Sequence, residues 1–463
     1  MRHNGSCEVS QCANGWRTAT LGELVSETGS FIQTGPFGSQ LHKHEYQQNG
    51  IGVVNPTHLF GNKIVRDDVP FVSSDTAIRL AKHRLSPGDL LFARRGEIGR
   101  HGLVSERENG WLCGTGCFLV RVRRKDVDNQ FLSYFFSTRE TIEWLTRHAA
   151  GVVMPNLNNT ILQSLPIRIP PLSEQRKIAA VLGLLHRAIE LQERLIALTK
   201  ELKKALLHKL FTEGLRGEPQ KLTEIGPVPE SWKETTLGKL AAKPHGFLQT
   251  GPFGSQLHKH DYLSDGIGVV NPTHLSDNRI NHENIPRVSK ETAARLERHR
   301  LEVGDILFAR RGEIGRHGLV TKDEEGWLCG TGCFLARVRH EHIYNRFLSY
   351  LFSTTGVIAW LNSHAAGAIM PNLNNTVLRS MPVFYPKLDA QVEIADCLDA
   401  PGRKMVNQER KQQSLMDLFR TLLHQLMTAQ IRVHDVDLDE LIVFKGVRQW
   451  KHEIEKSVIG TDR

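Results

Sequence analysis

The chain lacks the patterns that would commit it to a membrane or to export. None of its 463 residues fall in a run approaching the ~18 consecutive apolar side chains of a membrane span. The polar N-terminus contains no apolar signal core, so a cytoplasmic protein is expected. Cysteine is scarce and odd in number, seven in all, which excludes a disulfide framework. Cys113 and Cys117 recur as Cys329 and Cys333 inside strand-like sequence, with no paired Cys/His cluster. They read as small buried side chains, not metal ligands.

Catalytic signatures are missing too. The strings GEIG at 96–99 and GPFG at 35–38 are glycine-rich, yet neither has the GxxxxGK[ST] form of a phosphate-cradling loop. NPTH at 55–58 lacks the second proline and the aromatic residue with which amino-methyltransferases hold a flipped base. His42 and His44 form a His-x-His pair without a third ligand at metal-like spacing. No Ser-His-Asp or paired-carboxylate arrangement stands out. A non-enzymatic protein with no cofactor or metal of its own is expected.

What is present is positive charge and repetition. A formal net charge of +9 favours an anionic partner, nucleic acid first. QTGPFGSQLHKH at 33–44 returns letter for letter at 249–260, an offset of 216. At the same offset IGVVNPTHL (51–59) returns at 267–275, LFARRGEIGRHGLV (91–104) at 307–320, WLCGTGCFL (111–119) at 327–335 and MPNLNNT (154–160) at 370–376. Two long copies are two whole domains, not a solenoid.

Within a copy, the apolar runs at 88–93 and 117–122 read as strands bounded by glycine-rich turns, and residues 131–148 read as one helix. After Pro170 and Pro171, Ser173 offers an N-cap and Glu174 suits the positive end of a helix. An apolar stripe follows through Ile178, Leu182, Leu185 and Ile189, then Leu191, Leu195, Leu198 and Leu202, until Gly214 stops it. Such a helix, about 58 Å long at 1.5 Å per residue, asks for a partner helix. The second copy supplies one, capped by Asp389 and seamed by Leu415, Leu418, Leu422 and Leu426, with Pro401 expected to kink or break it.

The expected fold is α+β: two tandem globular domains separated by two long helices forming an antiparallel coiled coil with pseudo-twofold symmetry. The parts are an extension (1–15), domain one (16–172), helix one (173–215), domain two (216–388), helix two (389–427) and a tail (428–463).

Two duplicated strings carry the DNA-reading chemistry. Arg94, Arg95 and Arg100 crowd a glycine-punctuated loop. Arginine bridges guanine bidentately or clamps phosphate, and glycines let backbones approach. The bland alternative is a solvated turn in which Glu97 makes a salt bridge. Gln33, Thr34, Gly35, Phe37, Ser39, Gln40, His42 and Lys43 mix amide, hydroxyl and basic groups on a turn, glutamine being a natural partner for adenine. There the alternative is a Gly-Pro turn with Phe37 in the core. His58 joins these candidates. The second copy adds Gln249, Thr250, Gly251, Phe253, Ser255, Gln256, His258, Lys259, His274, Arg310, Arg311 and Arg316. Asn156, Asn158 and Asn159 read as a loop anchoring the domain to its helix.

The PFGS string, the arginine–glycine loop, the LN-containing string and PPLSEQ (170–175) opening a long helix together resemble the specificity subunits of Type I restriction-modification enzymes, over about residues 16–433. The resemblance implies target recognition domains that bind double-stranded DNA in a bacterial or archaeal cell. It implies spacer helices that dock two methyltransferase subunits bringing S-adenosylmethionine. It further implies restriction subunits that use ATP and Mg. In the second copy Lys387 and Ala390 replace the second proline and the glutamate of the signature, so docking there is expected to differ. Near-identical readers on antiparallel helices imply a bipartite, near-palindromic target with half-sites about one duplex turn apart. Two other functions compete: a DNA-binding adaptor or regulator recruiting a non-restriction partner through its coiled coil, and a stand-alone methyltransferase.

Overall fold

A computed structural model describes residues 15–149, 156–244, 246–253, 256–365 and 372–433. The chain divides into two compact units, residues 1–191 with 411–463, and residues 192–410. Each long helix therefore contributes half its length to each unit, a division that neither the repeat nor the helical periodicity suggests.

In unit one the central sheet orders Phe31–Thr34, Cys117–Arg121, Leu90–Ala93 and His101–Leu103, all antiparallel. Its two central strands are buried from Leu90 to Ala93 and from Cys117 to Val120 because both faces are covered. Leu90, Phe92, Phe118 and Val120 enter the larger core with Phe131 and Phe136. The alternating residues Leu91, Ala93, Cys117 and Leu119 enter a second core with Val54 and Leu59. Each fully buried Phe or Leu there stabilises the unit by about 1.5–3 kcal/mol. A second four-stranded sheet orders Leu112–Cys113, Ile51–Val54, Phe71–Val72 and Tyr46–Gln47, the first pair parallel. Arg17–Thr20 pairs with Pro166–Ile169, clasping the first strand of the domain to its last.

The span 131–148 is two helices, not one. Asn129–Phe136 ends at Ser137, and Thr138 caps Arg139–His148 by accepting the Thr141 amide. A side-chain hydroxyl that can cap competes with helix continuation. The Asn158 side chain likewise caps the short helix Asn159–Gln163. Met154, Pro155, Met370 and Pro371 lie outside the described residues.

Unit two repeats this layout. Gly246–Thr250, Cys333–Val338, Ile306–Ala309 and His317–Leu319 form its central sheet, and Lys233–Thr236 pairs with Pro382–Tyr385. It also has a hairpin, Gln220–Thr223 with Gly226–Pro229, whose Ile225 and Val228 join the core.

The first long helix is Leu172–Glu213. It starts one residue before the expected cap: Glu174 and Gln175 amides bond the Pro171 carbonyl, so Ser173 sits inside the first turn. Gly214, at φ +68, ends it as expected. The second long helix, Leu388–Met427, runs unbroken through Pro401, correcting the expected break. Proline deletes one donor, which would have served the carbonyl of Cys397. Cys397 is exposed, so water can satisfy that group.

Within unit one the helices run antiparallel, with Glu174 against Arg432 and His186 against Phe419. Within unit two Thr199 meets Gln408 at 3.2 Å, while Leu210 and Phe211 share a core with Ile394 and Leu398. The leucine stripe is corrected. Ile178, Leu182 and Leu185 are buried, but Leu191, Leu195, Leu198 and Leu202 are about half exposed. Gln192, Ile196 and Thr199 take the inward positions instead.

Candidate DNA interface

The strand Phe31–Thr34 delivers the chain into the 35–41 turn. Gly35 is demanded by contact: a Cβ there would stand 1.9 Å from the Gly114 carbonyl oxygen, and one on Gly251 would stand 1.9 Å from that of Gly330. Beyond it the Gln40 amide bonds the Phe37 carbonyl and the Gln40 side chain accepts the Phe37 amide at 3.2 Å. The tight turn holds Phe37 outward, 51% exposed, so it is a surface aromatic and not the core residue of the bland alternative.

The arginine loop arrives at the same place from the central sheet. Arg94 lies 5.8 Å from the centre of the Phe37 ring, within cation–π range. The Leu157 amide bonds the Arg94 carbonyl at 3.0 Å, and Arg95 bridges Asn156. Three duplicated strings, far apart in sequence, thus meet at one surface. Arg95 is exposed and makes no side-chain ion pair among the described residues. Gly96 and Gly99 hold φ near +88 and +87, a left-handed turn that other residues resist.

Other candidates are already occupied. Gln33 donates its amide to the Lys82 carbonyl, and Gln249 does the same to Arg298. Arg100 pairs with Glu97 at 2.6 Å and reaches the Pro56 carbonyl, so the salt-bridge alternative holds for that arginine. Arg316 repeats this with Glu313 and Pro272. His58 and His274 are corrections: both are buried, and each Nδ1 accepts the amide of Asn55 or Asn271. They cap a 3-10 turn and present nothing to a ligand. His42 stacks on His44 at 5.4 Å, His258 on His260 at 5.1 Å. Lys43, Lys259, Thr34, Thr250, Ser39 and Gln256 lie on or beside the turns.

Unit two reproduces the cluster. Phe253 is exposed, the Leu373 amide bonds the Arg310 carbonyl, and Arg311 bridges Asn372. Ser255 lies outside the described residues.

Two residues missed by motif reading hold these parts in place. Gln175, fully buried, donates to the Asp126 and Pro170 carbonyls and accepts the Asp128 amide, at 3.0, 2.8 and 2.8 Å. It ties the start of the long helix to the domain, and Gln391 repeats this with His342, Pro386 and Tyr344. Asp89, also fully buried, takes Arg121 and Arg123 under the sheet. The presence of glutamine in the 170–175 string was visible; its burial was not.

Nucleophilic chemistry finds little support. Burial pushes the Cys117 thiol up to about 12 and raises those of Cys113, Cys329 and Cys333. Among the described residues no group of three or more His, Cys, Asp and Glu could hold a metal ion, and no helix is long and apolar enough to cross a membrane.

Comparison with known proteins shows the family and the fold. The family described as Type I restriction modification DNA specificity domain matches residues 16–201 and 229–415. The Type I restriction enzyme MjaVIII specificity subunit of Methanocaldococcus jannaschii is 23% identical over 347 residues, covering 73% of this chain and 77% of that protein. The crystal structure of the S subunit of a Type I restriction-modification system from M. genitalium superposes with a TM-score of 0.57 at 18% identity, covering 89% of this chain and 96% of the other. A structure described as the basis of complex assembly and conformational transition of the type I R-M system gives 0.50 at 18% identity, with 89% and 97% covered.

Proposed function

The chain belongs to the Type I restriction modification DNA specificity family, and from that premise we propose that it addresses partner enzymes to DNA through two equivalent readers, one per unit. The observation that carries this is the duplicated cluster of Phe37, Arg94 and Arg95, matched by Phe253, Arg310 and Arg311. An exposed aromatic beside two arginines on a strand-anchored loop suits base edges and phosphates together.

Readers this alike select the same bases. The target is therefore bipartite, with near-identical halves, and the antiparallel course expected of the spacer helices makes it near-palindromic. The chain is non-catalytic. Two methyltransferase subunits supply S-adenosylmethionine chemistry, and restriction subunits supply ATP- and Mg-dependent steps, in the cytoplasm. The half-exposed leucines 195, 198 and 202 suit partner docking on the first helix. The second helix carries Lys411, Ser414 and Leu418 at the same register, so its docking face is more polar.

Mapping methylated adenines genome-wide, with and without this chain, tests the reading. One half-site sequence appearing twice in inverted orientation supports it; two unrelated halves defeat it.

A further inference from the structure

One duplicated string is still without a role. WLCGTGCFL (111–119, repeated at 327–335) belongs to neither reader loop, and its cysteines are buried. The central sheet nevertheless carries its middle residues into the reader. Cys117–Arg121 lies between Phe31–Thr34 and Leu90–Ala93 and is antiparallel to both. The segment that enters it, Gly114-Thr115-Gly116, therefore stands between the two segments that leave its neighbours, the 35–41 turn and the 94–100 loop. Neighbouring strands are about 4.8 Å apart, so those loops start about 10 Å apart with this turn on the midline.

Hydrogen bonds hold the turn on every side. The Gly35 amide donates to the Cys117 carbonyl and the Arg94 amide to the Gly116 carbonyl, both at 2.8 Å. The Gly114 amide donates to the Val54 carbonyl at 2.8 Å, and the Cys117 amide closes the turn on the Gly114 carbonyl at 3.1 Å. Both glycines are required by contact. A Cβ on Gly114 would stand 2.2 Å from Asn55 Oδ1, and one on Gly116 2.8 Å from Pro56 Cγ.

This bonding leaves a set of donors over. The amides of Thr115 and Gly116 and the Thr115 hydroxyl have no acceptor among the described residues, and both residues are partly exposed. Unit two repeats the arrangement. Gly251 bonds Cys333, Arg310 bonds Gly332 and Gly330 bonds Val270, at 2.8, 2.9 and 2.8 Å, while the donors of Thr331 and Gly332 stay unused.

We propose that each turn seats one phosphate of the DNA backbone, held by the two amides and the threonine hydroxyl, between loops that reach bases on either side. Adjacent amides and a hydroxyl suit an anionic oxygen, and the flanking glycines leave the backbone open to close approach. Arg94 adds positive charge on the same midline, its guanidinium 5.8 Å from the centre of the Phe37 ring of the opposite loop. Such a seat presupposes the DNA-reading role proposed above. It adds a contact that fixes register and carries no sequence information of its own.

Binding of the full chain with its methyltransferase partners to duplexes of the mapped target tests this. Thr115→Val should weaken binding to every sequence evenly, by at least about threefold, with base preference kept. The salt slope should also stay, because no cation is lost. Thr115→Ser should bind like the unaltered chain. In duplexes carrying one uncharged methylphosphonate at a time, Thr115→Val should shrink the penalty at a single phosphate of one half-site, and Thr331→Val at its counterpart in the other. A shift in base preference overturns the proposal, since the hydroxyl then reads a base. Unchanged affinity overturns it, as does a loss that leaves the penalty at every phosphate as it was, the mark of a folding defect. Arg95→Ala in the same series separates the two levels. If it alters preference or salt slope while Thr115→Val alters nothing, the seat falls and the DNA-reading role stands; if neither variant changes binding, both fall.

Discussion

Replacing Gln175 by alanine should loosen unit one far more than any surface change. The fully buried side chain meets three backbone groups, the Asp126 and Pro170 carbonyls and the Asp128 amide. Alanine leaves all three without their partner. An unsatisfied buried group costs roughly 1–3 kcal/mol; with the Pro170 bond buried and the other two partly open to water, the site should lose about 2–4 kcal/mol, a large part of a typical ~5–15 kcal/mol total. Asp128 also caps the helix Asn129–Phe136, so that helix should open first. Amide exchange of residues 128–136, read as opening free energies, measures this directly, with residues 344–352 of unit two as the internal control. Gln391→Ala should reverse the pattern. Exchange in 128–136 changed by less than about 0.5 kcal/mol would refute the premise that this amide holds domain to helix, since the ordinary surface substitution costs that little.

Further outcomes follow from the same geometry. Arg95→Ala should relax base preference in one half-site by about 5- to 150-fold, the ~1–3 kcal/mol of a bidentate contact, and Arg311→Ala in the other; an even loss of affinity with a salt slope reduced by about 0.9 would assign phosphate contact instead. Burial lowers the pKa of His58, His83, His101 and His186 in unit one and of His274, His299 and His317 in unit two. Their neutral forms suit the fold, so below ~6.5 the unfolded chain binds protons that the folded chain refuses. Stability should be level above that pH and fall as pH drops below it, which melting between pH 7.5 and 5.5 checks. Leu195→Asp with Leu198→Asp should weaken methyltransferase co-purification, whereas Ser414→Asp on the second helix should not.

The duplication made much of the fold readable, because a gapless repeat forces paired elements. Ile51–Val54 and Ile267–Val270 begin and end at equivalent residues. The arginine loop and the Gly-Pro turn were also identifiable as separate strings, from residue types that suit DNA. Their convergence was not, since Phe37 and Arg94 meet through sheet pairing between Thr34 and Phe118, a long-range contact that local pattern does not encode. Periodicity also misled. Leu191, Leu195, Leu198 and Leu202 keep helical spacing yet face outward, because Gln192 and Thr199 supply a partly polar seam. His58 looked available because histidine is usually a surface or site residue, while its Nδ1 was already needed by the Asn55 amide.

The two copies are alike where they would meet DNA and unlike where they meet their helices. In unit one Tyr134, His186 and Phe419 form an aromatic cluster, and Lys63 pairs with Glu190. In unit two Tyr350 instead donates to Asp399, with Lys203 near its ring and Arg346 on the same carboxylate. Gly402 takes the place of His186, and Arg279 fills the space beside it. Aromatic packing has little dependence on salt, while charges that are partly exposed are screened over ~8–10 Å. Raising ionic strength screens the Lys63–Glu190 pair of unit one as well but leaves its aromatic cluster, so the domain–helix contact of unit two should loosen more than that of unit one, with the readers themselves unchanged. Exchange of residues 345–352 against 129–136 between 0.05 and 1 M salt measures it, and equal responses would show that the polar network contributes no more than the aromatic one.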